Sequence, residues 1–180
     1  GETVIAAIGQ GYVLTTPLQL AVMTAALANG GKILKPQIVS HIEDWNNQSS
    51  HLFEPELIRQ LDYSSAHLQA IKEGMFAVVN EPRGTGRPAK LDEVTVAGKT
   101  GTSQVVRRLS DEEEELLTGD EHIPYRRRSH GLFVAYAPAE NPEIAVAVVV
   151  EPGQSGGAVA APIARERSED RRVGKECATG

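Results

Sequence analysis

Apolar positions along the chain change period several times, and each change marks an element. Between Pro17 and Asn29 the residues Leu18, Leu20, Val22, Met23 and Leu27 spread around a whole helical circumference, which predicts a helix buried on all sides rather than an amphipathic one. Thr16, Pro17 and Gln19 form a Thr-x-x-Gln capping box with proline in the first turn. The hydroxyl and the side-chain amide satisfy free main-chain donors there, and proline has none to lose. Asn29-Gly30-Gly31 supplies the left-handed conformation that ends such a helix. A second helix is predicted from Ala66 to Asn80, capped by Ser65, with Leu68, Ile71, Met75, Val78 and Val79 on a core-facing stripe. Pro82, Gly84 and Gly86 close it. Met75 and Phe76 are assigned to the core rather than to a cofactor.

Elsewhere the period falls to two. Strands are predicted over Val94 to Arg107, Gly131 to Ala137 and Ile144 to Glu151, and the short Pro138-to-Pro142 link between the last two suits antiparallel neighbours. Ile38 to Glu43 and Ser50 to Phe53 are expected to pair as a small hairpin across Asn46-Asn47. The fold class expected is α/β in the α+β sense, an antiparallel sheet flanked by helices. Between the first two long strands lies a charged insertion of roughly 20 residues, with Asp111 to Glu115 acidic and Arg126 to Arg128 basic. A solvated loop and a lid or partner-docking segment both fit it.

Charge and composition narrow the function classes. At 180 residues and 41% apolar content, the chain is long enough to bury about 70% of its unfolded surface. A formal charge of −6 argues against nucleic acid as a partner. Removing the four positive and three negative charges of residues 167–180 takes it to −7. Cys177 is the only cysteine, which excludes a disulfide framework and a thiolate metal site. His41, His51, His67, His122 and His130 show no metal-ligand spacing and are assigned structural or surface roles. No apolar run is long enough to span a bilayer; the longest, Ile144 to Val150, is strand-sized.

The chemistry concentrates in Val94-Thr95-Val96-Ala97-Gly98-Lys99-Thr100-Gly101-Thr102-Ser103-Gln104-Val105-Val106. Strand alternation puts the Thr100 and Thr102 hydroxyls on one face, with the Lys99 ammonium nearby. Gly98 and Gly101 let a ligand backbone lie against this strand and pair with it. That combination suits a clamp for a peptide carboxylate. An ordinary edge strand with lysine and threonine facing water is the plain alternative. A nucleotide phosphate loop is the other, but it needs a glycine where Glu93 stands and a helix after Thr100.

Taken together, the Lys-Thr-Gly-Thr order, the preceding glycine and the flanking valines resemble the lysine-threonine-glycine box of penicillin-binding proteins and active-site serine β-lactamases. Gly9-Gln10-Gly11-Tyr12 leading to Thr16-Pro17-Leu18-Gln19-Leu20, Ser129 to Pro138, and Asn141 to Glu151 followed by Gly156-Gly157 and Ala160-Ala161-Pro162 extend the resemblance over roughly residues 1–166. The chain resembles the C-terminal half of the transpeptidase domain of class B penicillin-binding proteins, of the cell-elongation type. The resemblance implies a partial penicillin-binding, serine β-lactamase-like transpeptidase fold. It also implies serine acyl transfer between peptidoglycan stem peptides and inhibition by β-lactams. Lys99 and Thr102 are the implied catalytic residues, and Thr100, Gly101, Thr102 and Ser103 the implied substrate-binding ones. No metal or organic cofactor is implied.

Two departures accompany the match. Ser40, Ser49, Ser50, Ser64, Ser65, Ser103, Ser110, Ser129, Ser155 and Ser168 all lack a lysine three residues on and an asparagine two residues on. The family's Ser-x-x-Lys nucleophile and Ser-x-Asn relay are therefore both absent. The chain also begins at Gly1 without an initiating methionine, so truncation of a longer protein and inactivity of the piece are expected. A missing N-terminal helix is expected to anchor the parent in the bacterial inner membrane with its catalytic domain in the periplasm, beside the cell-elongation machinery and its glycosyltransferase. A serine D,D-carboxypeptidase, a β-lactam sensor and a non-catalytic interaction fragment are the rival classes. Residues 167–180 differ in kind: Arg167 to Cys177 resembles translated sequencing-adapter read-through, apart from Asp170, and is expected to be non-native. A genuine polar tail is the alternative.

Overall fold

Three adjacent strands build the central sheet of the computed structural model, which describes residues 2–7, 9, 13–44, 50–103, 125 and 128–177. In chain order the elements are α1 (Glu2–Ala7), α2 (Pro17–Ala28), β1 (Lys32–Leu34), β2 (His41–Glu43), β3 (Ser50–Leu52), β4 (Leu57–Gln60) and α3 (Ser65–Asn80). They continue with β5 (Ala97–Ser103), β6 (His130–Ala137), β7 (Ile144–Val150) and α4 (Ala161–Cys177). A π-helical turn, Gly156–Ala160, leads into α4. The sheet has the order β5-β6-β7 with both pairings antiparallel, so the expected mixture of helices and antiparallel sheet is what the chain forms.

The two faces of the sheet are covered differently. Phe133, Ala135 and Ala137 of β6 point to one face and are fully buried with Val79, Val96, Ala160, Ala161 and Ala164. Even-numbered residues of β7, Ile144 to Val150, join this cluster. On the opposite face Tyr136 packs with Ala28, Met75 and Ala97. Alanine at so many contact points brings α4 and α2 close to the sheet, where each added ångström of gap would forfeit dispersion energy. Two small ribbons complete the layout: β1 pairs with β4, and β2 with β3, each as a separate two-stranded antiparallel sheet.

Local signals at α2 act as the sequence predicts. The Gln19 amide donates to Thr16 Oγ1 at 3.2 Å while Thr16 N donates to Gln19 Oε1 at 2.8 Å. At its other end Gly30 takes φ +84° and Gly31 N donates to Ala26 O at 2.7 Å, the six-to-one bond of a Schellman ending. Lys72 Nζ donates to Ala28 O at 3.0 Å, so a cation from α3 answers the free carbonyls at the negative end of α2.

Three expectations need correction. Helix α2 is not buried all round: Thr24, Ala26 and Ala28 are buried, while Leu18 and Met23 remain 60% and 46% exposed. Its small residues face the sheet together with the half-buried Leu27, while Leu18 and Met23 look away from it. Ser64, not Ser65, stands at the start of α3, and its side chain makes no capping bond. Phe76 is exposed and Ile71 nearly half so, leaving Met75 and Val79 as the buried part of that stripe. The β2–β3 pairing agrees with the expected hairpin, although residues 45–49 that would close it lie outside the described residues. Residues 104–107 of the expected long strand and most of the charged insertion also lie outside them. The division expected at residue 166 falls within α4, where Ser168 is buried and its hydroxyl donates to Ala164 O at 2.9 Å.

Candidate active site

Strand β5 changes character along its length. Ala97 and Gly98 are buried, Lys99 and Thr102 are exposed, and Thr100, Gly101 and Ser103 are half-buried. The buried end is anchored by close packing: a Cβ on Gly98 would stand 2.6 Å from the Phe133 ring and 2.8 Å from Val134 O. Among the described residues no strand pairs with the outer edge of β5. Main-chain groups on that edge are thus placed to meet a ligand backbone.

Register with β6 fixes which side chains share a face. Thr100 stands opposite Phe133 and Thr102 opposite Gly131, so both hydroxyl residues occupy the face covered by the π-helical turn. Lys99, Gly101 and Ser103 oppose Val134, Leu132 and His130 on the other face. Alternation alone would carry the ammonium away from the hydroxyls. Instead Lys99 Nζ donates to Thr100 O at 2.6 Å. The long side chain curls back to the main chain of its neighbour, so positive charge sits at the strand backbone between the two faces.

The Thr100 hydroxyl lies 2.9 Å from that of Thr85, which belongs to the Arg83-to-Gly86 turn after α3. Thr85 was not among the residues singled out by sequence; the Gly84-Thr85-Gly86 triplet marked only a helix stop. The π-helical turn closes the same corner from the other side. A Cβ on Gly157 would collide with Thr85 O, and one on Gly156 with Leu132 O while standing 2.5 Å from Gly101 O. Only bare glycines let three backbone segments meet there. π-Helical turns are rare and concentrate at functional sites.

His130, opposite Ser103, lies at the far end of β5, with Nε2 4.0 Å from Glu151 Oε1. Among the described residues its buried Nδ1 has no hydrogen-bond partner. Among the described residues no group of three or more His, Cys, Asp or Glu side chains could hold a metal ion. A groove of about 320 Å³ beside α2 is lined by apolar residues, among them Leu18, Val22, Met23, Ile33, Leu61 and Tyr63, and includes no residue of β5. The chemistry-bearing residues therefore converge on β5 and the Thr85 corner.

Comparison with known proteins identifies the family. Residues 2–169 match the model of the penicillin binding protein transpeptidase domain. The peptidoglycan D,D-transpeptidase MrdA of Haemophilus influenzae is 38% identical over 168 residues, 92% of this chain and 25% of that protein. Its counterpart in Salmonella typhimurium strain LT2 is 33% identical over 92% of the chain and 26% of its own length. Among solved structures, Pseudomonas aeruginosa PBP2 in complex with WCK 5153 superposes with a TM-score of 0.70 and 37% identity, covering 95% of this chain and 33% of that one. A complex of PBP2 and MreC from Helicobacter pylori matches with a TM-score of 0.69 and 29% identity, over 97% and 28%. The chain spans about a quarter of the length of these sequence relatives. No described helix is long and apolar enough to cross a membrane.

Proposed function

Because the chain belongs to the penicillin binding protein transpeptidase domain family, we propose that it is the C-terminal part of such a domain in a longer peptidoglycan D,D-transpeptidase of the cell-elongation type. The observation that carries this reading is the half-open β5, with one ammonium held at its backbone and two threonines on one face.

In this reading a serine from outside the chain attacks the carbonyl of the penultimate D-alanine in a stem peptide. The serine Oγ–acyl bond forms, the peptide bond to the terminal D-alanine breaks, and that D-alanine leaves with a proton on its amine. An amine of a neighbouring stem then displaces the serine oxygen, which recovers a proton, and a crosslink results. Thr100 and Thr102 donate hydrogen bonds from their hydroxyls to the terminal carboxylate. The Thr102 amide donates to the oxyanion, a preorganised contribution worth about 3 to 4 kcal/mol of barrier. Lys99 supplies positive potential, Gly101 admits the substrate backbone, and Ser103 extends the binding strand. β-Lactams enter as mimics of the first stage and stop there.

The chain holds neither a Ser-x-x-Lys nor a Ser-x-Asn sequence, so by itself it is inactive. Residues 1–166 supply the core of the domain, with α4 running on past them. The parent is anchored in the inner membrane, works in the periplasm, and meets a glycosyltransferase and the other components of cell elongation. The test is labelling by a fluorescent penicillin. A full-length protein carrying this sequence should become covalently labelled and the 180-residue chain should stay dark; a dark full-length protein would remove the enzymatic reading.

A further inference from the structure

We propose that Thr85 is a positioning residue that orients the Thr100 hydroxyl toward a bound carboxylate, an inference that rests on the carboxylate-binding role given to Thr100 above. A threonine hydroxyl has one proton to give and two lone pairs with which to accept. Between Thr85 and Thr100, 2.9 Å apart, either oxygen is able to donate. A carboxylate resolves the choice, because an ionised carboxylate only accepts. Thr100 can donate to it only if its own proton is not committed to Thr85, so Thr85 must be the donor within the pair. Loss of the Thr85 hydroxyl leaves Thr100 free to rotate and removes the polarising donor behind it.

The turn that carries Thr85 is held from several directions. Gly86 N donates to Val78 O at 2.9 Å and Gly84 N to Glu81 O at 3.0 Å, fixing the turn on the end of α3. A Cβ on Gly86 would stand 2.9 Å from the ring of Phe133, the cross-strand partner of Thr100. On its third side Gly157 brings the π-helical turn against Thr85 O. Gly86, the neighbour of Thr85, and Thr100 thus both lie against Phe133, so the fold fixes how far apart the backbones of the two threonines stand.

The experiment measures acylation rates of the full-length protein by benzylpenicillin and by its methyl ester, which lacks the charged carboxylate. Thr85→Val should slow the acid about five- to tenfold, the scale of one hydrogen bond, and leave the ester within about twofold. Thr85→Ser should restore the acid rate, and in a Thr100→Val background Thr85→Val should add less than about twofold, since both act through one contact. Equal loss for acid and ester would show a merely structural role and overturn the inference. So would an acid rate unchanged by Thr85→Val, or serine failing as valine does. If Thr100→Val leaves the acid-to-ester ratio at its original value, the carboxylate role of Thr100 itself falls, and the inference with it; an altered ratio there with a silent Thr85→Val sinks the inference alone. The ester rate and the thermal midpoint of each variant report whether it is folded.

Discussion

Lys99 Nζ reaches the carbonyl oxygen of Thr100 at 2.6 Å, joining adjacent residues whose side chains leave the strand on opposite faces. The contact ties the ammonium to the main chain of the residue whose hydroxyl meets Thr85. Replacing Lys99 by alanine in the full-length protein should slow acylation by penicillin about a hundred- to a thousandfold, the range found when one preorganised charge-stabilising donor is lost. Arginine keeps the charge, but its rigid planar fork differs from a compact ammonium. Lys99→Arg should recover only part of the rate, and unchanged labelling of Lys99→Ala would refute the assignment.

Two glycines of β5 separate packing from ligand access. A Cβ on Gly98 would press into the Phe133 ring and Val134 O, whereas one on Gly101 meets only Leu132 Cβ at 3.4 Å. Gly98→Ala should destabilise the chain by about 1 to 3 kcal/mol through overpacking. Gly101→Ala should stay within about 0.5 kcal/mol of the original, as open positions do. In the full-length protein Gly101→Ala should nonetheless reduce acylation, if substrate lies against that strand. Urea denaturation of the chain and penicillin labelling of the parent check the two halves.

The capping box of α2 gives a local stability test. Thr16→Ala removes the acceptor of the Gln19 amide and should cost about 1 kcal/mol. Thr16→Ser should cost a few tenths at most. Equal denaturation midpoints for alanine and serine would show that the box adds nothing at this exposed end.

Alkaline pH should find Tyr136. Its burial, and after that the charge of Glu140, raises the phenol above the ordinary 10.0. The unfolded chain releases this proton near about pH 10 while the folded one retains it. Above that pH the unfolded state binds fewer protons, so stability is complete below about 10 and declines as pH climbs through the folded value. Urea midpoints should therefore fall on the alkaline side, and Tyr136→Phe should flatten that limb. Phenolate absorbance lost in Tyr136→Phe, and so belonging to Tyr136, would contradict this if it rose near about pH 10 in the still-folded chain.

Legibility in the sequence followed how local each determinant is. The Thr16 box and the Gly30-Gly31 ending are written in adjacent residues and take the conformations those residues favour. Strand-sized runs rich in valine and other apolar residues marked the strands of the central sheet, and the antiparallel pairing of β6 with β7 followed from one short link. The side of α2 that is covered was not legible, because a helix apolar all round has no periodicity to betray its buried face. Strands β1 and β4 escaped notice because each is only three or four residues long and their pairing depends on contacts distant in sequence, such as Leu61 N to Gly31 O at 2.8 Å. Thr85 was missed for the same reason: fifteen residues separate it from Thr100, and only the folded turn makes them neighbours. Residues Lys99 to Ser103 were found because their chemistry lies within one strand.

Strand β7 has a practical consequence. Its seven residues, Ile-Ala-Val-Ala-Val-Val-Val, hold no charge and no proline, and among the described residues no further strand pairs beyond it. An uncharged ribbon with one unzipped margin recruits copies of itself. Overproduced alone, the 180-residue polypeptide should collect in inclusion bodies. A lysine in place of Val149, which belongs to neither buried cluster, is the kind of gatekeeper that would keep it in solution.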